Sequence, residues 1–373
     1  MRRLSEIERK LQFAKDGFGE AALGLLGWTE AMARFADSVG SRTGQLIGIG
    51  SQVALPFNIM TEMPPEAGAE FERVGGGDPW INSRVRAGIA APELALRDDA
   101  DFTIEQDRQR GPEFGDWKDR HRIGYSCITN LLKNDRFLIG LGALHDSSQE
   151  PMGSEEKRAF LELAFSLRDA IRLQLSLEGQ EAKLVARTFD AIDKPVFVCG
   201  PDGLISGMSQ PAAELVKEGR WLTSRQDRLV LKDANAQGEL ARVMVETIFP
   251  VRFMPGKPND SVLTRDEDGY PLYLEITPFP MIHEVPLRAS ALVIAYPPKQ
   301  RELRCAAIAR AIYRLTPTEA VIASYLVSGK SLDTIADLCG IGRGTVRTHL
   351  KRTFDKTGAR SQVGLVALLN STM

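Results

Sequence analysis

The predicted fold of this chain is decided by the stretch Thr345-Val-Arg-Thr-His-Leu-Lys-Arg-Thr-Phe-Asp-Lys-Thr-Gly358. It is preceded by a second informative segment, Ser331-Leu-Asp-Thr-Ile-Ala-Asp-Leu-Cys-Gly-Ile341. Both segments carry apolar residues at helical spacing, and Gly340 marks a turn between them. In the second segment Val346, Leu350 and Phe354 form one apolar stripe, while cationic and hydroxyl side chains occupy another face. A helix that lies in the major groove of DNA has this two-sided composition.

The residues around this stretch predict two further helices. In Leu315-Thr-Pro-Thr-Glu319, Thr316 is placed to cap a helix that starts at Pro317, and Glu319 completes a capping box. That helix is expected to stop at Gly329, and a last one to start near Ser361. Four helices with a tight turn between the second and third predict an all-α helix-turn-helix domain over residues 315–373, with Ile335 and Leu338 of the second helix facing its core.

Charge is concentrated in the same place. The whole chain has a net charge of -2, so its overall field does not favour nucleic acid. From Leu315 onward there are seven Lys and Arg against four Asp and Glu, and between Gly342 and Arg360 the ratio is six to one. A local cluster of cations is what phosphate neutralisation requires.

The C-terminal segment resembles the LuxR-type helix-turn-helix family. The resemblance covers the whole segment and is carried by Leu315-Thr-Pro317, Glu319, Gly329, Ser331, Ile335-Ala336, Thr345-Val346, His349-Leu350, Lys356, Gly358 and Arg360. Leu332 and Asp333 depart from the polar or basic residues usual in the second helix, and Val321 replaces a Glu of the first. These departures count against phosphate contacts by the second helix.

The resemblance and the chemistry of the side chains together predict roles for six residues of the third helix. Arg347, Thr348 and Lys351 align with the base-facing positions, since an Arg can bond guanine O6 and N7 and a Thr methyl can contact thymine. Phosphate contacts are expected from Arg343, Thr345 and Arg352. The alternative for these six is a solvated helix face.

The resemblance also implies partners. These are a double-stranded DNA operator, RNA polymerase, and a second copy of the chain that contacts the fourth helix between Val363 and Leu369.

The length of 373 residues predicts several domains, in a multidomain fold with α+β sensor domains ahead of the helical one. The predicted boundaries are 1–180, 184–298, a helical linker 299–314, and 315–373. In the first domain a helix is expected over Ala21–Ala36 and strands over Gln45–Gly50, Ala54–Met60 and Phe137–His145. A long helix is expected from Ser154 onward.

Residues 1–180 are similar to the GAF-like domains of some one-component LuxR-type regulators. The similarity is carried by Gly77-Asp-Pro-Trp80, Asp119-Arg-His-Arg-Ile-Gly124, Gly140-Leu-Gly-Ala-Leu-His145 and Ser154-Glu-Glu156. It implies a pocket for a small-molecule effector of unknown identity. The candidate lining residues are aromatic, namely Trp80, Phe102, Phe114, Trp117 and Tyr125. The alternative is that these aromatic residues are core.

Residues 184–298 resemble a PAS-like domain. Asp190-Ala-Ile-Asp-Lys-Pro-Val-Phe-Val-Cys-Gly-Pro-Asp-Gly203 would supply its first strand and turn, with a second strand over Leu204–Met208. Helical residues follow, and two later strands are expected over Pro271–Thr277 and Ala289–Tyr296. The linker 299–314 is expected to be a helix with Leu303, Ala307, Ile308 and Ile312 on one side.

The sequence contains no pattern typical of an enzyme, a metal site or a bound cofactor. We find no catalytic Ser-His-Asp set, and Cys127, Cys199, Cys305 and Cys339 form no CxxC pair. No apolar run approaches the roughly 18 residues of a membrane span, and the charged N-terminus does not resemble a signal peptide, so a cytoplasmic location is expected.

The expected function is therefore a non-enzymatic, effector-controlled, dimeric transcriptional regulator. The alternative is a sensor with a catalytic or haem-binding N-terminal region and a regulatory DNA-binding domain. Candidate haem ligands are His121, His145 and His283.

Overall fold

The protein is described by a computed structural model that covers residues 2–50, 57–64, 66–134, 137–248, 260–279, 287 and 290–371. The chain divides into two compact units. One consists of Met1–Glu181 and Pro280–Ala289, the other of Ala182–Phe279 and Ser290–Met373. A mixed α/β N-terminal region and a helical C-terminal end are present, as predicted.

The first unit is built on a four-stranded antiparallel sheet with the strand order β2-β1-β4-β3. Its strands are β1 (Thr43–Gly50), β2 (Phe57–Met60), β3 (Ile123–Lys133) and β4 (Phe137–Asp146). The structure confirms the predicted strands β1 and β4. It describes the predicted strand 54–60 only from Phe57, because residues 54–56 lie outside the described part of the chain.

Helices cover both faces of this sheet. They are α1 (Arg2–Ala22), α2 (Trp28–Ser38), α3 (Ala67–Arg73), α4 (Ser83–Ala90), α5 (Ile104–Arg110), α6 (Pro112–Arg120) and α7 (Ser154–Thr188). Side chains alternate between the two faces of a strand. On one face Phe18, Phe35 and Phe160 of α1, α2 and α7 form a core cluster, and on the other Phe71 and Trp117 of α3 and α6 do so.

The predicted single helix over Ala21–Ala36 is wrong, because the chain bends between α1 and α2. Gly24 has φ +72°, a left-handed conformation that few other residues adopt at low cost, and Gly27 caps α2 without a side chain. The long helix predicted from Ser154 is confirmed. Its Gln174 is fully buried and accepts a 2.7 Å hydrogen bond from the Trp28 indole, so this polar residue belongs to the core.

The second unit opens with a five-stranded antiparallel sheet of strand order β6-β5-β11-β10-β9, and the hairpin β7-β8 lies outside it. The bounds are β5 (Val196–Cys199), β6 (Ile205–Met208), α8 (Gln210–Glu218), β7 (Leu222–Arg225), β8 (Arg228–Leu231), α9 (Ala234–Ile248), β9 (Ser261–Arg265), β10 (Pro271–Pro278) and β11 (Ala291–Tyr296). The four predicted strands of this region are present, although Ala289 lies outside the described residues.

The C-terminal end of this unit is helical. It contains α10 (Pro298–Tyr313), α11 (Pro317–Val327), α12 (Leu332–Cys339), α13 (Arg343–Thr357) and α14 (Gln362–Asn370). The predicted core position of Leu338 is wrong, and two residues on the apolar side predicted for the linker, Ala307 and Ile312, are exposed. Leu338 is 53% exposed, and α10 buries Cys305 and Ala309 rather than Ala307 and Ile312, because α10 packs on α11 through its small residues.

No helix in the described part of the chain is long and apolar enough to cross a membrane.

Candidate functional site

The third helix of the C-terminal domain, α13, has one buried and one exposed side. Val346, Leu350 and Thr353 are buried against the other helices of the domain. At 3.6 residues per turn, residues 347, 348, 351 and 352 fall on the opposite side of the helix, and all four are exposed. The six residues predicted to contact DNA, which also include Arg343 and Thr345, are all exposed on α13.

Capping interactions hold the first three helices of the domain in place. The predicted capping box is confirmed, since the Thr316 N–H donates to Glu319 Oε2 at 2.8 Å and the Glu319 N–H donates to Thr316 Oγ. The same Glu319 oxygen accepts a 2.6 Å bond from Lys356 Nζ near the end of α13. Ser331 caps α12, and Gly340 and Gly358 end α12 and α13 in left-handed conformations.

Burial and hydrogen bonding shift the pKa of the Glu319 carboxyl in opposite directions. Burial raises its pKa, and the hydrogen bonds from Lys356 and Thr316 together outweigh burial, so the pKa lies below its usual value. Glu319 is therefore a carboxylate that joins the start of α11 to the end of α13.

The cations on α13 differ in their acidic neighbours. Among the described residues, Arg347, Lys351 and Arg352 have no ion-pair partner within 4.0 Å. Arg343 pairs with Asp333 of α12 at 3.1 Å, so one of the predicted phosphate contacts has an acidic competitor. The departure from the family pattern at Asp333 thus lies directly beside the candidate interface.

Three other polar residues on α13 have defined positions. The Thr348 hydroxyl donates to the Gly344 carbonyl at 3.1 Å, which leaves its methyl group as the free end of the side chain. Thr345 is exposed in the first turn. His349 is half-buried, and its Nδ1 is buried without a hydrogen-bond partner among the described residues, which places the ring in the packing of the domain.

The last helix, α14, has an exposed apolar residue. Leu365 and Leu369 are buried in the domain core, whereas Val363 is 79% exposed. Val363 lies at the end of the predicted dimer contact and is available to a partner.

The first unit contains a cavity of about 70 Å³ between the sheet and helices α3, α4 and α6. A single water needs roughly 10–15 Å³ on this scale, so the cavity has room for a small organic molecule. Its floor is formed by alternate residues of β1 and β4. Gln45 lies opposite Gly142 in the strand register, and a methyl group at residue 142 would come within 3.3 Å of Gln45 Oε1. The glycine keeps this part of the floor open.

The cavity lining is mostly apolar with a few polar side chains. The polar ones are Gln45, Asn82, Arg84, Thr129 and Asn130. Asn82 caps α4 by accepting a bond from the Arg84 N–H at 3.1 Å, and Asn130 Nδ2 donates to the Gly88 and Ala91 carbonyls. A mainly apolar pocket with a few fixed polar groups is typical of small-molecule sites.

Of the five aromatic residues predicted for the effector pocket, two line the cavity and three lie outside its lining. Phe114 and Trp117 line the cavity, and their rings stack at a centroid distance of 6.0 Å. Phe102 lies outside the lining but has the Arg84 guanidinium 5.8 Å from its ring centroid. Trp80 and Tyr125 lie outside the lining and are 65% and 39% exposed, and the Trp80 ring is covered by Arg110.

The sequence prediction missed the polar lining residues. Asn82 precedes a helical pattern and could have been found as an N-cap, but nothing in the sequence distinguishes Arg84 from the surface arginines around it. Gln45 and Asn130 lie on strands whose register the sequence does not reveal.

The predicted haem candidates occupy separate positions. The His121 ring lies against Trp117 and its Nε2 is 3.3 Å from Glu70 Oε2. His145 Nδ1 bonds the Glu150 carbonyl at 2.7 Å, and His283 lies outside the described residues. Within the described part of the chain, no three His, Cys, Asp or Glu side chains form a group that could hold a metal ion.

Comparison with known proteins identifies the C-terminal domain. The model of the family described as Bacterial regulatory proteins, luxR family, matches residues 313–369. This confirms the resemblance predicted for that domain. A search of curated proteins found no match for the chain.

Several solved structures are similar to parts of the chain. The N-acylhomoserine lactone dependent LuxR family transcription factor CepR2 from Burkholderia cenocepacia is 15% identical, with 46% of this chain and 96% of that one covered and a TM-score of 0.35. SdiA from Escherichia coli is 11% identical over 92% of this chain and 96% of that one, with a TM-score of 0.27. The phage VqmA-DPO complex is 16% identical over 50% and 87%, with a TM-score of 0.24. TM-scores this low do not establish a common overall fold.

Proposed function

We propose that this chain is a sequence-specific DNA-binding transcriptional regulator, with α13 as the recognition helix and a small-molecule effector bound in the first unit. The observation that carries this proposal is the exposed face of α13. There Arg347, Lys351 and Arg352 stand without acidic partners among the described residues, in a domain that matches the luxR family model.

The α13 side chains suit distinct parts of a DNA duplex. Arg347 can donate two hydrogen bonds to guanine O6 and N7, and Lys351 lies one turn further on the same face to reach a neighbouring base. The Thr348 methyl is free for a thymine methyl because its hydroxyl is bonded to the helix backbone. The proposed phosphate contacts come from neighbouring residues of the same helix, namely Arg343, Thr345 and Arg352.

The cavity of the first unit is the proposed effector site. Its position between a sheet and a layer of helices supports a GAF-like sensor domain, with Phe114 and Trp117 as aromatic lining residues. In the second unit, the hairpin β5-β6 is followed by α8, the hairpin β7-β8, α9 and then three strands. This order supports a PAS-like domain. The domain boundaries 1–180, 184–298, 299–314 and 315–373 are part of the proposal.

A dimer completes the proposed mechanism. Exposed Val363 on α14 would contact a second copy, and a two-fold symmetric dimer would bind two half-sites about one helical turn apart or a multiple of it. An effector would act by favouring the arrangement of recognition helices that fits this spacing. RNA polymerase is a proposed further partner, and the cytoplasm the proposed location.

Mobility-shift titrations test the recognition helix. A binding site is first selected from random duplexes with the wild-type chain, and Arg347→Ala, Lys351→Ala and Arg310→Ala are then compared on it. Loss of a bidentate base contact costs roughly 1–3 kcal/mol, so Arg347→Ala should bind about 5- to 150-fold more weakly. Lys351→Ala should also weaken binding.

Arg310→Ala is the matched control, because Arg310 is an exposed arginine on α10 outside the proposed interface. It should bind like the wild type. Undiminished binding by both α13 variants would refute the assignment of α13 as the recognition helix.

A further inference from the structure

Arg84 is a buried cation that lacks a hydrogen-bonded counter-charge. Its side chain is only 11% exposed, and one guanidinium nitrogen donates to the Gly124 carbonyl at 3.0 Å. The closest carboxylate oxygen, Asp99 Oδ1, is 4.0 Å away, beyond hydrogen-bond distance. Arg84 Nε is buried and has no hydrogen-bond partner among the described residues. Buried charges in proteins are normally paired, so this guanidinium is incompletely satisfied by the chain itself.

The neighbouring carboxylates form no hydrogen bond to Arg84 within the described part of the chain. Asp107 accepts hydrogen bonds from the Ser83 backbone and hydroxyl and pairs with Arg86 at 3.5 Å. Asp99 Oδ2 accepts a 2.9 Å bond from the Ser126 N–H, whereas its Oδ1 is buried without a hydrogen-bond partner among the described residues. Burial raises the pKa of this carboxyl. Neither residue therefore supplies the bonded carboxylate that Arg84 lacks.

A second buried cation lies close by. Lys118 on α6 is 8% exposed, and burial, followed by the repulsion of Arg84, lowers its pKa to about 7. The carboxylates Asp107, Asp99 and Asp119 act on the pKa of Lys118 in the opposite direction, without outweighing burial. An anion bound against Arg84 would reduce the repulsion between Arg84 and Lys118.

The cavity beside Arg84 contains another unpaired donor. Trp117 is 2% exposed, and its indole Nε1 has no hydrogen-bond partner among the described residues. Both side chains line the cavity, whose other walls include Ile47, Phe114 and Leu138. Two buried N–H donors with no acceptor, surrounded by apolar side chains, suit a ligand with an acceptor group at one end and an apolar body.

We infer that this cavity binds a small organic monoanion, a carboxylate on a short aromatic or aliphatic body, with the carboxylate against Arg84 and the body against Trp117. The inference rests on the proposed function of the cavity as the effector site. A single carboxylate group matches the Arg84 guanidinium in the cavity lining, and the volume of about 70 Å³ restricts the body to a small ring or a short chain. A neutral amide of the same shape could accept hydrogen bonds but would leave Arg84 without a counter-charge.

The test compares carboxylates with their amides on the full chain. The indole N–H resonances of the four tryptophans are recorded on nitrogen-15-labelled protein, and that of Trp117 is assigned with Trp117→Phe. Benzoate and benzamide, then hexanoate and hexanamide, are titrated to about 10 mM, where weak ligands still bind measurably. The carboxylate of at least one pair should shift the Trp117 resonance and bind about tenfold more tightly than its amide.

Two arginine variants distinguish a local contact from a general charge effect. Arg84→Gln should lower carboxylate affinity about tenfold, while Arg108→Gln should leave it unchanged, because Arg108 is 52% exposed and lies outside the cavity. If Arg84→Gln does not fold, shown by loss of the other indole resonances, Arg84→Lys replaces it and should keep the preference for carboxylates with weaker binding.

Three results would overturn the inference. These are equal binding of carboxylate and amide, no shift of the Trp117 resonance with any of the four compounds, and wild-type carboxylate affinity in folded Arg84→Gln. DNA binding by Arg347→Ala is measured without ligand. A failed ligand test therefore leaves the assignment of α13 untouched, and a failed DNA test leaves the ligand result standing.

Discussion

Replacement of Glu319 tests whether one buried carboxylate fixes the recognition helix to the rest of its domain. The Glu319 side chain is 3% exposed, and its Oε2 accepts the Thr316 N–H at 2.8 Å and Lys356 Nζ at 2.6 Å. Glu319→Ala removes both contacts and leaves the Thr316 N–H unpaired. Loss of the cap costs about 1 kcal/mol, and loss of the bond to Lys356, discounted because Lys356 is 37% exposed, costs about 1 kcal/mol more.

Hydrogen exchange of the backbone amides in α11 and α13 measures this loss in the full chain. A cost of about 2 kcal/mol corresponds to roughly 30-fold faster exchange, if these amides exchange through opening of the domain. Glu319→Gln can still accept the Thr316 N–H and loses mainly the charged bond, so it should exchange only about fivefold faster. Asp355→Asn removes an exposed acid from the same domain and serves as the control.

The pH dependence follows from the direction of the Glu319 pKa. Because the folded-state pKa lies below its usual 4.5, this contact stabilises the domain fully above that value and loses its effect as pH falls through the lower folded pKa. The difference between wild type and Glu319→Gln should therefore shrink below about pH 4.5. Equal exchange of wild type and Glu319→Ala at neutral pH would refute the role given to this carboxylate.

Two further predictions concern the surface of the C-terminal domain. Asp333→Asn removes the carboxylate that pairs with Arg343 at 3.1 Å, so binding to duplex DNA should become several-fold tighter. The plot of the logarithm of the DNA association constant against the logarithm of the salt concentration should steepen by up to about 0.9. An unchanged slope would contradict this prediction. The exposed pair itself contributes little, so stability should change by less than about 1 kcal/mol. Val363→Glu puts a charge on the exposed end of α14 and should shift sedimentation velocity profiles toward monomer, whereas Val321→Glu on α11 should not; a persistent dimer would contradict the proposed contact.

The C-terminal domain was predictable because its signals are local. A cap, a Pro start and a Glu three residues after the cap mark the first turn of α11, and the structure contains both the capping box and the proline at the first helical position. The errors concern packing partners. Leu338 and Ile312 fit apolar stripes in the sequence, yet both are exposed, since the small residues Cys305 and Ala309 pack into the domain core.

The first unit was less predictable because its contacts join distant parts of the chain. The sequence indicated strands β1 and β4 by their apolar runs, but not that they are neighbours in the sheet. Gln174 is a polar residue in the sequence of α7, yet the structure buries it against Trp28, 146 positions earlier. A polar residue whose partner is this remote leaves no local signal.

The sequence also does not reveal the surroundings of individual arginines, and arginines are central to both candidate sites. Arg347 and Arg84 are chemically identical in the sequence, and neither has a hydrogen-bonded carboxylate among the described residues. Arg347 is exposed on a helix beside Lys351 and Arg352, so an extended polyanion can supply its counter-charge. Without the polyanion its guanidinium is hydrated, and the free-energy cost of the unpaired charge is small. Arg84 lines a cavity between a sheet and three helices, so only an anion small enough to enter the cavity can supply its counter-charge. A buried guanidinium without a counter-charge is costly in free energy. Burial therefore decides what kind of anion each arginine can take.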